Sequence, residues 1–266
     1  MGRLFRNAVS TVVGAAFCYP SFVLAAADPR AVLACPPARQ SVARVIGRLP
    51  HDASAFTQGL LWDDGQFVES VGGYGRSEIR RTDPDTGRIA IRRTLPPDVF
   101  AEGVARVGGE LVQLSWTNGR ARRLDPVTLR LRGYLRYPGE GWGLSDHGDG
   151  FVRSDGTATL TFHDATSFAE TRRVAVSMGG APLTDLNELE TIDGAIWANV
   201  WHSDFIVAID PATGCVRRRM DLSAIVAEIA PTDPEAVANG IAWDAANRRL
   251  FVTGKLWPTI FEIAAP

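Results

Sequence analysis

Apolar runs recur along the chain at intervals of 40 to 52 residues, and each run follows a polar or aromatic residue and then a small or acidic one. The residues that begin these five repeats, which we call the lead residues, are Gln58, Glu102, Trp142, Asn187 and Asn239. Repeats of about 40–50 residues in strand-rich sequence are typical of β-propeller blades. If each apolar run is the innermost strand of its blade, the lead residues occupy equivalent positions and converge on one central channel.

Each of the first four repeats also contains a turn signal between its later strands. Asp can bond to its own backbone, Pro presets one turn dihedral, and Gly accepts the left-handed conformation, so such segments predict hairpins. The four segments are Asp83-Pro84-Asp85-Thr86-Gly87, Asp125-Pro126-Val127-Thr128, Asp164-Ala165-Thr166-Ser167 and Asp210-Pro211-Ala212-Thr213-Gly214. The only helix that the pattern predicts is a short one at residues 222–229.

These patterns predict an all-β protein, a five-bladed β-propeller that occupies residues 42–266. The last repeat has room for only about three strands before Pro266. The strand-like residues 42–49 are therefore expected to join the last blade, which closes the ring and removes the exposed sheet edges. The hydrophobic content of 45% is enough for a single core of this size.

The N-terminus has the composition of a targeting segment. Arg3 and Arg6 precede a mostly apolar stretch at residues 8–24, and Ala25, Ala26 and Ala27 form a small-residue cleavage site. We therefore predict a signal peptide at residues 1–27, a lead segment at 28–41, and export to the periplasm or the medium. A retained membrane anchor is the weaker alternative, because the apolar run is short for a membrane span and contains Pro20.

Cleavage would remove Cys18 and leave Cys35 and Cys215. Two cysteines in an oxidising compartment indicate a disulfide. Two isolated buried thiols are the alternative, and the spacing of the two residues leaves that choice open.

Charge argues against binding of nucleic acid. The net charge is −2, and arginine pairs such as Arg92-Arg93 and Arg122-Arg123 fall at strand ends in different repeats rather than in one aromatic-basic stripe. The chain nevertheless has 27 arginines and a single lysine, Lys255. A compact ammonium differs from a planar guanidinium, so we expect a specific role for this lysine, with a chance surface lysine as the alternative.

No metal or cofactor is expected. The four histidines, His51, His147, His163 and His202, are scattered and lack the spacing of a zinc site. The chain also lacks the Gly-x-Ser-x-Gly motif of a nucleophile elbow.

Seven segments stand out in order along the chain: Phe56-Thr57-Gln58-Gly59-Leu60, the stretch from Glu69 to Arg80 with Tyr74-Gly75-Arg76-Ser77, Phe100-Ala101-Glu102-Gly103, Gly141-Trp142-Gly143-Leu144, Asn187-Glu188-Leu189-Glu190, Trp197-Ala198-Asn199-Val200-Trp201 and Val252-Thr253-Gly254-Lys255-Leu256-Trp257. Together they resemble the plant and bacterial type of glutaminyl-peptide cyclotransferase, over about residues 42–263. The resemblance implies a five-bladed propeller that converts an N-terminal glutaminyl residue to pyroglutamate and releases ammonia, with residues 42–266 as its catalytic domain.

The resemblance also implies roles for individual residues. Glu102 is the only acid among the lead residues and matches the family's catalytic acid/base. Lys255 could stabilise a developing oxyanion, and Asn187 could hold the carboxamide or the α-amine. These three are the expected catalytic residues. Gln58 is expected to hold substrate through its amide. The aromatic residues that match the family's substrate pocket are Phe56, Phe100, Trp116, Trp142 and Trp201, and packing in the core is the alternative for each. Trp62 and Trp243 are expected to lie in the core.

Two other functions fit parts of the pattern. Glu102, Asn187 and Asn239 could offer oxygen ligands to Ca²⁺ in a lactonase-like propeller, although a second acid is missing and Lys255 would oppose a cation. A propeller that binds peptide N-termini without turnover would need the aromatic and amide residues but not the acid. The expected partner in all but the lactonase case is a peptide or protein with a free N-terminus, specifically N-terminal Gln for the enzyme. We expect a monomer, with no membrane contact after cleavage.

Overall fold

The computed structural model describes Gly2 and residues 35–266. The predicted signal peptide at 1–27 and the first part of the segment at 28–41 lie outside the described residues, Gly2 apart. Within the described residues, no helix combines the length and the hydrophobicity that a membrane span requires.

The described chain forms five blades of antiparallel strands, and two N-terminal strands, β1 (Arg39–Val42) and β2 (Val45–Pro50), precede them. Blade one consists of β3 (Thr57–Asp63), β4 (Gln66–Val71), β5 (Glu78–Thr82) and β6 (Ile89–Thr94). Blade two consists of β7 (Ala101–Val107), β8 (Glu110–Ser115), β9 (Arg120–Leu124) and β10 (Leu131–Arg136). Blade three consists of β11 (Leu144–His147), β12 (Gly150–Arg153), β13 (Thr159–Asp164) and β14 (Glu170–Ala175). The prediction of a five-bladed propeller is confirmed.

The remaining elements complete the ring. A two-stranded hairpin, β15 (Ser177–Met178) and β16 (Ala181–Pro182), follows blade three. Blade four contains β17 (Leu186–Ile192), β18 (Ala195–Val200), β19 (Phe205–Ile209) and β20 (Val216–Asp221). After the helix α1 (Ser223–Ile229), blade five contains β21 (Ala238–Asp244), β22 (Arg249–Gly254) and β23 (Thr259–Ile263). The hairpin β15–β16 has no counterpart in the predicted elements, because its strands are only two residues long.

Burial along the strands follows their position in the blade. The innermost strand β21 is buried at every residue, because neighbouring blades cover both of its faces. The outermost strands β2 and β6 alternate between half-buried and exposed residues, as expected for strands with one face in solvent. Hydrophobic clusters fill the spaces between successive blades; for example, Val68 and Ile79 of blade one pack with Val104 and Leu111 of blade two. The blades are therefore held together mainly by apolar contact.

The ring closes through the N-terminal segment. β2 pairs antiparallel with β23 and is the fourth strand of blade five, as the sequence predicted. The predicted strand at 42–49 is divided, however. Val42 belongs to β1, which pairs in parallel with β20 and adds a fifth strand to blade four. The first propeller strand therefore begins at Arg39, and the N-terminal segment joins blades four and five.

A disulfide adds to this connection. Cys35 and Cys215 are bonded, with their Cα atoms 5.3 Å apart, which is within the usual range for disulfides. The bond spans 180 residues of sequence and ties the segment before β1 to the start of β20. A cross-link across such a long loop removes conformational freedom mainly from the unfolded chain.

The predicted hairpin turns lie between the third and fourth strands of their blades. Asp83, Asp125 and Asp164 each accept hydrogen bonds from a backbone N–H and a hydroxyl three residues later, with the amide bonds at 2.9, 2.7 and 2.8 Å. Asp210 accepts a backbone bond of the same kind. Each carboxylate thus accepts hydrogen bonds from turn N–H groups that would otherwise lack a partner in the backbone. The helix α1 also lies where the sequence predicted it.

Candidate active site

The lead residues meet at the centre of the ring, as their equivalent positions in the repeats predict. Gln58, Glu102, Asn187 and Asn239 lie near the starts of the innermost strands β3, β7, β17 and β21, and Trp142 lies two residues before β11. Such convergence requires the innermost strands of neighbouring blades to approach closely.

Glycines after the lead residues make that approach feasible. A Cβ atom at Gly59 would lie 2.7 Å from the backbone N of Val104, and one at Gly103 would lie 2.5 Å from the backbone N of Leu144. In the fourth repeat this position is Glu188 instead. Its buried carboxylate accepts bonds from the backbone N–H groups of Leu60 (3.1 Å) and Ile241 (2.9 Å) and so links three blades around the axis.

A cavity of about 200 Å³ opens at this end of the channel. A water molecule occupies about 30 Å³ in the liquid, so the space suits a ligand of about one amino-acid residue. All nine residues predicted for catalysis or substrate binding line it, together with one that the sequence did not indicate. The lining residues are Phe56, Gln58, Phe100, Glu102, Trp116, Trp142, Asn187, Trp201, Glu235 and Lys255.

A chain of amide groups orients the carboxyl group of Glu102. The Asn239 side-chain amide donates to the backbone oxygen of Thr57 (2.8 Å) and to Oε1 of Gln58 (3.2 Å). The Gln58 amide then donates from Nε2 to Oε1 of Glu102 (2.9 Å). Among the described residues, Oε2 of Glu102 has no hydrogen-bond partner although it is buried. One carboxyl oxygen is thus fixed by the protein, whereas the hydrogen-bonding capacity of the other is unused.

Asn187 is placed by its backbone. Its backbone oxygen accepts a bond from the hydroxyl of Ser154 in blade three (2.6 Å). The residue is 2% exposed and its side chain lines the cavity. An amide held in this way can donate to and accept from a bound carboxamide.

Burial shifts the pKa values of two of the ionisable groups that line the cavity, Glu102 and Lys255. Glu102 is 4% exposed, and its pKa lies well above 4.5, chiefly because burial disfavours the carboxylate. The positive charge of Lys255 and the Gln58 bond lower this pKa, but burial outweighs them. The pKa of Lys255 is lowered from 10.5, again chiefly by burial, while Glu102 and Glu235 act in the opposite direction. The net direction of the Glu102 shift is therefore set by burial and not by the charge of Lys255.

Aromatic rings form the wall of the cavity. Ring centroids are 6.2 Å apart for Phe56 and Phe100, 5.7 Å for Phe100 and Trp116, and 5.7 Å for Trp142 and Trp201. The Lys255 Nζ lies 4.7 Å from the Phe56 centroid and 5.9 Å from the Trp201 centroid, so the ammonium closes the gap between those two rings. These five aromatic residues surround the Glu102 carboxyl group and limit its access to water.

Of the two tryptophans that the sequence placed in the core, Trp243 is buried there as predicted, whereas Trp62 is only partly buried and packs against a core cluster. Trp243 belongs to the hydrophobic cluster of blades four and five, and Trp62 stacks on Phe251 at 5.2 Å. Neither residue lines the cavity.

The sequence does not indicate that Glu235 lines the cavity or that Asn239 orients Gln58. Glu235 lies in the loop between α1 and β21, partly exposed, with a carboxylate oxygen 3.6 Å from Nε2 of His202. This loop follows no repeat pattern, so the sequence held no signal for it. Asn239 was identified as a lead residue, but its bonds to neighbouring residues depend on the three-dimensional arrangement.

The arrangement disfavours the oxygen site for Ca²⁺ considered above. Asn239 does not line the cavity that Glu102 and Asn187 line. Within residues 35–266, no three His, Cys, Asp or Glu side chains are grouped in a way that could hold a metal ion.

The fold and the cavity together define a five-bladed β-propeller with a buried carboxyl group at the base of an aromatic-walled pocket on its axis. The sequence model of the family described as glutamine cyclotransferase matches residues 17–265. The chain belongs to this family. It is 37% identical over 223 residues to a glutaminyl-peptide cyclotransferase from Arabidopsis thaliana. The matched region covers 82% of this chain and 70% of the Arabidopsis protein. The crystal structure of a glutaminyl cyclase from Myxococcus xanthus superposes with a TM-score of 0.82 at 41% identity, over 86% of this chain and 97% of that one.

Proposed function

We propose that this protein is a glutaminyl-peptide cyclotransferase, which converts the N-terminal Gln of a peptide or protein to pyroglutamate and releases ammonia. The observation that carries the proposal is the buried Glu102 carboxyl group, which lines a cavity for about one residue and has one oxygen without a hydrogen-bond partner among the described residues. Membership of the glutamine cyclotransferase family and the names of the two relatives support the same substrate.

The reaction needs a group that moves a proton within one substrate. The α-nitrogen attacks the γ-carboxamide carbon, which forms the ring C–N bond and a tetrahedral intermediate. The Glu102 carboxylate takes a proton from the α-nitrogen and passes it to the amide nitrogen, whose bond to carbon then breaks as ammonia leaves. The carboxylate is regenerated, so no other reactant is consumed. Because the nucleophile and the carboxamide belong to the same residue, the enzyme mainly has to fold the side chain back on itself.

The raised pKa of Glu102 suits both halves of this transfer. A carboxylate with an ordinary pKa is a weak base near neutral pH, whereas burial makes the Glu102 carboxylate a stronger one. Lys255 acts in two ways in this account. Its ammonium stabilises the negative oxygen of the tetrahedral intermediate, and it disfavours the protonated form of the α-amine, which cannot attack.

The amides and the aromatic rings hold the substrate in the reactive conformation. We assign to Asn187 the binding of the γ-carboxamide, and to Gln58 the binding of the α-amine beside Glu102. The five aromatic residues pack against the aliphatic part of the glutaminyl side chain and exclude water, which would otherwise hydrate the carboxylate.

We also propose that the protein is exported, works as a monomer and needs no cofactor. A disulfide between Cys35 and Cys215 suits an oxidising compartment, and the composition of residues 1–27 suits a signal peptide. The proton transfers in the proposed mechanism use side chains alone, so no step requires a metal or a prosthetic group.

Turnover in the presence of a chelator tests the function itself. We expect the purified protein, after treatment with EDTA, to convert a Gln-initiated peptide to a product lighter by one ammonia, with a matched N-acetylated peptide unchanged. Mass spectrometry and an ammonia assay measure both products. Activity that is lost with EDTA and recovered with Ca²⁺ would support the lactonase-like alternative, and binding without ammonia release would support a peptide-binding propeller.

Replacement of the acid tests the mechanism. Glu102→Gln keeps the size of the side chain but cannot accept a proton, so we expect kcat to fall by about 10²–10⁴-fold, the usual range for loss of general acid–base catalysis. Circular dichroism should show an unchanged fold. A variant that retains more than about a third of the wild-type rate would contradict the assignment, since even weak acid–base catalysis exceeds that factor.

The lone lysine is tested by a charge-conserving change. Lys255→Arg keeps the positive charge, but the wider guanidinium cannot place it beside a small tetrahedral centre in the same way, so we expect a large loss of kcat. Lys255→Met removes a charge that favours the Glu102 carboxylate. The pKa of Glu102 should rise further, and the acid limb of the pH–rate profile should move to higher pH. Unaltered kinetics of Lys255→Arg would show that the lysine takes no part.

A further inference from the structure

The loop between β10 and β11 carries a carboxylate that contacts two walls of the cavity at once. Oε2 of Glu140 accepts a hydrogen bond from Nε1 of Trp116 (2.7 Å) and another from Nε1 of Trp142 (2.9 Å). The two tryptophans come from different parts of the ring, because Trp116 follows β8 in blade two and Trp142 precedes β11 in blade three. One oxygen therefore joins the aromatic residues of two blades.

The backbone beside Glu140 is fixed to both blades as well. The backbone N–H of Gly141 donates to the backbone oxygen of Trp116 (3.0 Å). The guanidinium of Arg153, a residue that is 3% exposed in β12, donates to the backbone oxygen of Glu140. The carboxylate thus extends from an anchored segment, although the residue itself is exposed. Such anchoring lowers the entropy cost of holding the side chain in one conformation.

The aromatic wall has two gaps, of which Lys255 fills one and Glu140 fills the other. The wall runs from Phe56 through Phe100 to Trp116, and from Trp142 to Trp201, with ring centroids 5.7–6.2 Å apart within each part. Lys255 lies between Phe56 and Trp201 at one end, and Glu140 bonds Trp116 to Trp142 at the other. Without this carboxylate both indole N–H groups would lose their charged acceptor, and the two parts of the wall would be free to separate.

We propose, on the basis of the proposed cyclisation, that Glu140 is a positioning residue that holds Trp116 and Trp142 in the substrate-binding conformation and sets the charge opposite Lys255. The glutaminyl side chain then meets a closed wall, and its aliphatic part is packed rather than hydrated. Glu140 takes no proton in the reaction and acts on the substrate only through the two indoles and its electric field.

The field of Glu140 has a direction that can be tested. Lys255 and Glu140 are the charged groups that act on the pKa of Glu102. The charge of Glu102 in turn raises the pKa of Tyr137. The negative charge of Glu140 raises the pKa of Glu102, and Lys255 lowers it. Removal of the negative charge therefore lowers the pKa of Glu102, and the acid limb of the rate profile moves to lower pH.

Two substitutions separate the hydrogen bonds from the charge. Glu140→Gln keeps one oxygen that can accept from the indoles but removes the charge, whereas Glu140→Ala removes both. Glu170→Ala is the control, because it removes an exposed carboxylate from blade three whose hydrogen bonds, among residues 35–266, are two from Arg173 (2.8 and 2.7 Å). The first readout is independent of turnover: the indole N–H resonances of the seven tryptophans in a ¹H–¹⁵N spectrum. We expect Glu140→Ala to shift the resonances of Trp116 and Trp142 most, identified by their loss in Trp116→Phe and Trp142→Phe.

The second readout is the kinetics on a Gln-initiated peptide. Glu140→Ala should raise KM by about tenfold with a smaller effect on kcat, since two hydrogen bonds to a charged acceptor are lost from the binding wall. Glu140→Gln should restore KM to within about threefold of wild type, while its acid limb moves to lower pH. The control should match wild type in both.

The inference is contradicted if Glu140→Ala leaves the two indole resonances and KM unchanged, or if Glu140→Gln shares the full KM defect and keeps the wild-type pH profile. These results are distinct from a failure of the proposed function, in which the wild-type protein itself would not cyclise the peptide.

Discussion

The desolvation of one carboxyl group is the constraint on which the rest of the site depends. Water is excluded from Glu102 by the inner strands below it and the aromatic wall around it, and an ionised carboxylate in such surroundings is costly unless other groups compensate. Neighbouring groups compensate only part of the cost of ionising Glu102. Gln58 supplies one hydrogen bond and Lys255 one positive charge, yet the pKa remains well above 4.5. A carboxylate whose pKa lies above the ordinary value is a stronger base, which suits a group that carries a proton.

The propeller provides this environment through its repeat. Five equivalent positions converge on the axis. They carry one acid, Glu102, three amides, Gln58, Asn187 and Asn239, and one indole, Trp142. The glycines that follow most of these residues allow the inner strands to approach within contact distance. Where the glycine is replaced by Glu188, the carboxylate bonds to the backbone of two other blades and takes on a structural role. The repeated backbone therefore brings five equivalent positions together, and the different side chains at those positions make the site asymmetric.

Most of the architecture was predictable, because it depends on local chemistry that repeats. The period of the apolar runs predicts the number of blades, the turn segments that begin with Asp predict the hairpins, and an incomplete last repeat implies closure by the N-terminal strand. β1 was not predicted because Arg39-Gln40-Ser41-Val42 has no apolar alternation, and its pairing with β20 is made by the backbone. The site residues in the inner strands could be identified from their equivalent positions. Glu140 and Glu235 could not, because they lie in loops that follow no period. The balance between burial and Lys255 depends on distances that no sequence pattern contains.

The ionisation of Glu102 is the most direct test of this account. Infrared spectra of the protein and of its Glu102→Gln variant, recorded over a range of pH, isolate the titration of this one carboxyl group by difference, free of the buried Glu188 and Glu190. The account predicts a protonated carboxyl band that persists well above pH 4.5, the ordinary value for Glu, and disappears at still higher pH when Lys255 is replaced by Met. A band that titrates near the ordinary value, with no response to the lysine, would contradict the claim that burial prepares Glu102 to carry a proton.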